Sequence, residues 1–180
     1  LKPYVRSVLE EYAERDARVK ITFRETNGHI SMASNSALVL ATGEFVALLD
    51  HDDELRPYSL LRLAETINKN PEVKIIYSDE DKIDSKGNRL FPYFKPDWNP
   101  DLLLAQNYLC HLFCAKRNLV VEAGSFRPGY EGSQDWDLAL RTIELAEDSE
   151  IIHIPEILYH WRIHNDSTAG DIENKDYAIK

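Results

Sequence analysis

The segment GEFVALLDHDDEL, residues 43–55, changes from apolar to acidic within a few positions. Its first half has the composition of a buried strand, and Asp50, Asp52 and Asp53 follow directly after it. Mutual repulsion and the loss of hydration both destabilise such a group of carboxylates unless a positive charge lies among them. Because Mg²⁺ and Mn²⁺ bind oxygen ligands of this kind, the pattern indicates a divalent-cation site at the end of a strand.

The same acidic residues also have a structural explanation. Pro57 is well placed at the start of a helix, and Asp53 or Glu54 would interact favourably with the positive end of that helix. A calcium-binding loop of the EF-hand type is excluded, because Leu55 occupies the sixth position counted from Asp50, where that loop requires glycine. The cation site and the helix cap both stay open at this point.

The elements that must position these residues alternate between helix and strand. Helices are predicted within residues 1–16, 27–43, 57–70 and 133–148, with two shorter ones between residues 99 and 124. Strands are predicted at residues 19–25, 45–49, 73–84, 112–114 and 150–161, and residues 89–94 are predicted to fold back as a hairpin. This order predicts one three-layer α/β/α domain with a mostly parallel central sheet, in which ligands gather at the carboxyl ends of the strands.

Composition excludes several classes of function. The 180 residues are 43% apolar, which suffices for one domain with a sizeable core. The net charge of −10 argues against a nucleic-acid or anionic-membrane surface. The apolar runs are far shorter than the roughly 20 residues that span a bilayer, so no transmembrane helix is predicted. Cys110 and Cys114 have no ligand cluster beside them and are predicted to be buried free thiols, as in a cytoplasmic protein.

Five segments in succession resemble the family 2 glycosyltransferases that have a GT-A fold. They are NGHISMASNSALVLATGEFVALLDHDDEL, YSDEDKID, FKPDWNPDLLLAQNYL, GSQDWDLALR and YHWRIHNDSTA, and together they cover essentially the whole chain. They look like the branch that acts in bacterial polysaccharide and O-antigen assembly. The resemblance implies inverting transfer of a sugar from a nucleotide-diphospho-sugar donor to a polysaccharide or lipid-linked glycan acceptor, with Mn²⁺ or Mg²⁺ as cofactor. It also implies a cytoplasmic location, at the inner face of the membrane or within a larger polypeptide or membrane assembly.

The resemblance assigns roles at the donor end of the site. Asp52 matches the family's metal ligand, Asp50 a contact to ribose or to metal-bound water, and Asp53 a weaker member of the triad. In the closing segment His164 is the first candidate to complete the metal shell and His160 the second.

Three further residues are implied to contact the donor. Arg162 is placed to meet its phosphate oxygens. Asn27 and Gly28 are expected to line the donor side, where glycine permits a close approach of the backbone.

The resemblance also implies the catalytic base and a weaker acceptor set. The family's Glu-Asp pair at a helix start appears here as Gln134-Asp135, and Asp135 matches the general base. The alternative role of Asp135 is to cap the helix that begins near Trp136. Asp79, Asp81, Trp136 and Gln134 are the candidates for contacts to the acceptor or the transferred sugar.

The beginning of the chain departs from the family pattern. Family members start with two strands that hold the nucleobase, and this chain corresponds to the part of the fold after those strands. Residues 1–180 are therefore expected to be one partial domain without that strand–helix–strand unit, and a non-catalytic binding module derived from this fold is an alternative. Phosphohydrolases of the haloacid-dehalogenase type also carry Asp-x-Asp after a strand, but Asp53 and Glu54 stand where that class has a small-residue turn.

Overall fold

The computed structural model describes residues 2–163, which form six helices, one 3₁₀ turn and six strands. The helices are α1 (Pro3–Arg15), α2 (His29–Leu40), α3 (Ser59–Lys69), α4 (Pro100–Ala105), α5 (Arg117–Glu122) and α6 (Gln134–Ile143), and the 3₁₀ turn is Asp148–Glu150. The strands are β1 (Phe45–Ala47), β2 (Glu54–Leu55), β3 (Ile75–Ile83), β4 (Arg89–Tyr93), β5 (Phe113–Lys116) and β6 (Ile151–Arg162).

The strands form one sheet in the order β1-β5-β3-β6-β2, and β4 pairs with the second half of β3. Only β3 and β6 run parallel over the described residues, and the other pairs are antiparallel. The expected mostly parallel arrangement is therefore corrected for this part of the chain. A tight turn joins β3 to β4, which therefore run antiparallel. The connection from β3 to β6 is long and contains α4, α5 and α6, which allows β6 to run parallel to β3.

The sheet has a separate apolar core on each face. Ile75 and Tyr77 of β3 pack with residues of α4, α5 and α6, while Ile76 between them packs with Leu63 of α3. Successive side chains of a strand point to opposite faces, so β3 contributes to both cores at once. The predicted three-layer α/β fold is confirmed by this arrangement.

The N-terminal part of the chain packs much less. The strand predicted at residues 19–25 is not observed, and β1 is the edge strand of the described sheet, paired with β5. Tyr4 and Tyr12, on the apolar face predicted for α1, are more than half exposed. The Arg6 guanidinium lies 3.8 Å from the centre of the Phe23 ring and links α1 to residues 19–25.

Cys110 and Cys114 are buried and free, as predicted. Burial raises the pKa of Cys110 well above its usual value and that of Cys114 to about 12. Both side chains therefore behave as apolar core groups.

Among the helices of residues 2–163, none combines the length and the apolar character of a membrane-spanning segment.

Candidate functional site

A cleft of about 990 Å³ opens where β1 ends, between α2, the acidic segment and the start of α6. Its wall is apolar on the side of α2 and β1 and polar at the opposite end. Representative lining residues are Leu38, Leu48, Asp50, His111, Asp135 and Trp161. A concave surface with a few convergent polar groups on an apolar wall is typical of a small-molecule site.

Tyr159 on β6 fixes the shape of the acidic segment. The backbone N–H of Asp50 donates to the Tyr159 hydroxyl at 3.2 Å, and that hydroxyl donates to Oδ2 of Asp53 at 2.5 Å. Burial raises the pKa of Tyr159, and the bond to Asp53 raises it further, so the hydroxyl keeps its proton. Asp50 and Asp53 are thereby tied to one point of the sheet.

His111, just before β5, joins this pair of carboxylates. One ligand atom each of Asp50, Asp53 and His111 lies within 4.8 Å of the other two. The His111 ring stacks on Tyr159, with 4.6 Å between ring centres, and meets Trp161 edge to face at 5.7 Å. Among the described residues, none hydrogen-bonds the buried Nδ1 atom of His111.

The electrostatics of the group favour a cation. Asp50 opens to the cleft, yet the surrounding protein desolvates its carboxyl and raises its pKa. The charge of His111 opposes this shift, whereas Asp53, Asp52 and Asp135 add to it by repulsion. A bound cation would relieve that repulsion.

The three side chains fit a divalent cation in number and kind. Ligands on opposite sides of an octahedral ion lie about 4 Å apart, since each bond is about 2.1 Å long. The three ligand atoms all lie within 4.8 Å of one another. Carboxylates suit Mg²⁺ and Mn²⁺ alike, whereas an imidazole nitrogen favours a transition metal.

Asp52 and Arg162 lie next to the group of Asp50, Asp53 and His111, and the contact of Arg162 to the donor phosphates stays a prediction. The group brought together is Asp50, Asp53 and His111, and the assignment of Asp52 as the metal ligand stays a prediction. The Arg162 side chain donates to the backbone carbonyl of Asp52 at 2.7 Å and pairs with Glu54. Its backbone N–H donates to Oδ1 of Asp53 at 2.8 Å, so Arg162 holds the acidic segment in place.

His160 lies apart from the aspartates at the end of β1. Its Nδ1 atom contacts Oδ1 of Asp81 on the neighbouring strand, whereas Tyr159 and Trp161 on either side of it contact His111. The alternation of side chains along β6 explains the separation. The structure thus does not bring His160 to the predicted metal site, and His164 lies outside the described residues.

Asp79 and Asp81 are buried within the sheet. Oδ1 of Asp79 accepts from the backbone N–H of Lys95 and meets Nε2 of His153, both at 2.9 Å. Asp81 accepts from Arg89 at 2.5 Å across the β3–β4 hairpin. These contacts join neighbouring parts of the sheet, and the contact of both residues to an acceptor stays a prediction.

Asp135 lies in the first turn of α6 and lines the cleft. The N-cap of α6 is Ser133, so the alternative role of Asp135 as the cap residue is not observed. Asn107 donates to Oδ2 of Asp135 at 2.9 Å. Gln134 beside it also lines the cleft and accepts from the Gly132 backbone at 2.6 Å.

Trp136 and the Asn27-Gly28 pair serve local structure. Trp136 packs on the core and donates to the carbonyl of Leu103 at 2.9 Å, and its contact to a sugar stays a prediction. Asn27 accepts from the backbone of His29 at 3.0 Å, which begins α2. A Cβ atom at Gly28 would lie 2.6 Å from Cβ of Met32, so only glycine fits against that helix. Their contact to a donor stays a prediction.

Sequence reasoning missed three residues of the site, namely Asn107, His111 and Tyr159. Asn107 lies in the segment FKPDWNPDLLLAQNYL, whose resemblance to the family assigned it no role. The signal for His111 was its position as a lone polar residue in the apolar run 108–115, which is ambiguous because buried histidines with structural roles are common.

Residues 2–121 match the family model described as Glycosyl transferase family 2. Among curated relatives, y4gI of Sinorhizobium fredii is 50% identical over 98% of this chain and 19% of its own length. The O-antigen biosynthesis protein RfbC of Myxococcus xanthus is 36% identical over 99% of this chain and 14% of its own length. The chain thus spans less than a fifth of these two relatives.

Solved structures share the fold. Staphylococcus aureus TarS 1-349 in complex with UDP-GlcNAc superposes with a TM-score of 0.71 at 17% identity, over 91% of this chain and 47% of that one. The mannosyltransferase PcManGT from Pyrobaculum calidifontis, in complex with GDP-Man and Mn²⁺, gives a TM-score of 0.62 at 18% identity, over 94% of this chain and 46% of that one. These likenesses confirm the predicted GT-A fold class.

Proposed function

We propose, since the chain belongs to glycosyl transferase family 2, that it moves a sugar with inversion from a nucleotide-diphospho-sugar to a hydroxyl of a polysaccharide or lipid-linked glycan. RfbC, named for O-antigen biosynthesis, supports a glycan product. The UDP-GlcNAc and GDP-Man complexes of TarS and PcManGT support a nucleotide-sugar donor.

The observation that carries this proposal is that Asp135 and the group Asp50, Asp53 and His111 line or border one cleft. The Asp135 carboxylate, which can accept a proton, and the group of Asp50, Asp53 and His111, which can hold a cation, thus lie at the same cleft. Inverting transfer needs both, because the acceptor must lose a proton on one face of the sugar while the diphosphate leaves from the other.

Asp135 accepts the proton of the acceptor hydroxyl while the oxygen of that hydroxyl forms a bond to the anomeric carbon. The bond from that carbon to the diphosphate oxygen breaks in the same step, and the electron pair leaves with the nucleoside diphosphate. Asn107 holds Asp135 through the bond to Oδ2 and keeps its carboxylate at one orientation.

Asp50, Asp53 and His111 would hold the Mn²⁺ or Mg²⁺ ion, and the imidazole favours Mn²⁺. When bound, the ion neutralises charge on the diphosphate and makes it a better leaving group. Tyr159 and Arg162 keep the acidic segment at this position through their bonds to Asp53.

The proposal is tested with the full-length protein, a panel of nucleotide-sugars and glycan or lipid-linked acceptors. We expect transfer from one donor, with dependence on Mn²⁺, and a product of inverted anomeric configuration by NMR. A retained configuration would refute the role of Asp135 as base, and cleavage of phosphate esters without sugar transfer would support a phosphohydrolase instead. The cytoplasmic location and the association with a larger polypeptide or membrane assembly stay predictions.

A further inference from the structure

Lys95 and Glu80 form an ion pair inside the protein. The Lys95 side chain is 0% exposed and that of Glu80 10%, and Nζ lies 3.2 Å from Oε2. Glu80 belongs to β3, and Lys95 follows β4, the strand that pairs with β3. The pair is therefore located at the centre of the sheet, beneath the segment that connects α4 to β5.

That segment depends on the pair for its backbone hydrogen bonds. Lys95 donates to the carbonyl of Leu109 at 3.4 Å and to the carbonyl of His111, and the N–H of His111 donates to Glu80. Residues 106–112 belong to no helix or strand, and most of them are buried. Their backbone groups lack the partners that regular structure supplies, so side chains must satisfy them.

Stability alone does not account for the pair. Burial lowers the pKa of Lys95, and the charge of Glu80 only opposes that effect. Apolar or neutral residues of similar volume often replace a buried ion pair without loss of stability. What such residues cannot replace are the charge-assisted bonds to Leu109 and His111.

The backbone of His111 determines where its ring lies. The ring stacks on Tyr159, whose hydroxyl bonds both Asp50 and Asp53. A continuous set of contacts thus runs from the ion pair through His111 to the two carboxylates.

We propose that Glu80 and Lys95 are positioning residues that hold His111 as the nitrogen ligand of the cation bound by Asp50 and Asp53. This inference rests on the proposed function, because it concerns the cation of that site. It assigns a role to two buried residues, Glu80 of the segment YSDEDKID and Lys95 of the segment FKPDW, that the proposed reaction does not itself use.

A second lysine provides a matched control. Lys74 pairs with Glu150 at 2.8 Å and donates to the carbonyl of Leu145 at 3.1 Å. This pair joins the starts of β3 and β6, at the opposite end of the strands from His111. Lys74→Met removes the same chemical group as Lys95→Met without touching the segment before β5.

The test uses the full-length protein and Mn²⁺, alone and with uridine diphosphate. Spin-echo electron paramagnetic resonance reports whether a nitrogen is bonded to Mn²⁺, and a titration gives the affinity. We expect a nitrogen signal in the parent protein that is lost in His111→Gln. The neutral double variant Glu80→Gln/Lys95→Met should also lose the nitrogen signal, and its Mn²⁺ affinity should be at least tenfold weaker. Lys74→Met should keep the nitrogen signal and the Mn²⁺ affinity of the parent.

Circular dichroism and the melting temperature of each variant separate positioning from folding. A folded double variant that keeps the nitrogen signal and the affinity overturns the inference and leaves the proposed function intact. Unfolding of both the double variant and Glu80→Gln overturns it too, because the pair would then serve stability. A parent protein that transfers sugar and binds no Mn²⁺ overturns the inference together with the metal part of the proposed function.

Discussion

The side-chain amide of Asn107 donates a hydrogen bond to Oδ2 of Asp135 at 2.9 Å. Asn107 follows α4 and Asp135 lies in α6, so the bond joins two elements that are distant in sequence. Both residues are half-buried, and Asp135 lines the cleft. The bond restricts the rotation of the carboxylate, and the proposed role of Asp135 as general base requires such a fixed orientation.

Asn107→Ala should lower kcat about 10- to 100-fold, because a base displaced by as little as 1 Å loses much of its effect. The KM for the donor should not change, since Asn107 does not contact the cation group. The measurement is steady-state transfer by the full-length protein. Gln106→Ala is the control, because the Gln106 amide donates to Tyr93 on the exposed surface. Equal kcat values for the two variants would show that Asn107 does not position Asp135.

Asp135→Asn should reduce turnover by about 10² to 10⁴, the usual contribution of a general base. Donor and Mn²⁺ binding should persist, and the melting temperature should change little because Ser133 is the N-cap of α6. Transfer rate and melting temperature are measured on the same preparation. Near-normal turnover with a lower melting temperature would make Asp135 structural and move the search for the base to Asp79, Asp81 or Asp137.

Asp53→Asn should weaken the binding of Mn²⁺ with uridine diphosphate at least tenfold, because the geometry places Asp53 beside Asp50 and His111. Isothermal titration calorimetry gives the affinity, and the matched comparison is Asp52→Asn. The opposite ranking of the two variants would return the ligand role to Asp52, as the family resemblance implies.

Asp137→Asn should destabilise the protein by about 2–4 kcal/mol at pH 7, because the buried carboxylate pairs with Arg127 and Arg141. Burial acts to raise the pKa of Asp137, but the bonds from Arg127 and Arg141 outweigh it and lower that pKa. The stabilisation that the Asp137 carboxylate provides is therefore complete above the pKa of about 3.9 that an Asp has in the unfolded chain. It is lost as the pH falls through the lower pKa of Asp137 in the folded protein.

Urea denaturation at pH 7 and pH 3 measures this dependence. The difference in unfolding free energy between the parent and Asp137→Asn should shrink at the lower pH. Glu65→Gln is the control, since its pair with Arg62 is solvent-exposed and should contribute less than about 1 kcal/mol. A difference that does not vary with pH would rule out the ionic contribution.

Local patterns in the sequence determined most of the helices and strands and the acidic end of β1, but residues 19–25 form no strand and β2 was not predicted. Spacing along the chain suffices for these features, because the periodicity of a helix or strand is a property of neighbouring residues. The alternation of helices and strands predicted the α/β class, and the family resemblance added the GT-A fold and Asp135 as the candidate base. Both the fold class and the family are shown by the comparisons.

Tertiary structure alone decided the strand directions and the partners of each polar side chain. His160 and Tyr159 are adjacent in sequence, yet one faces Asp81 and the other faces Asp53, because side chains alternate across a strand. Asn107 and His111 belong to an irregular segment that has no periodicity, and there His111 lines the cleft whereas Asn107 bonds Asp135. Their positions depend on hydrogen bonds between elements far apart in the chain, which no local pattern encodes.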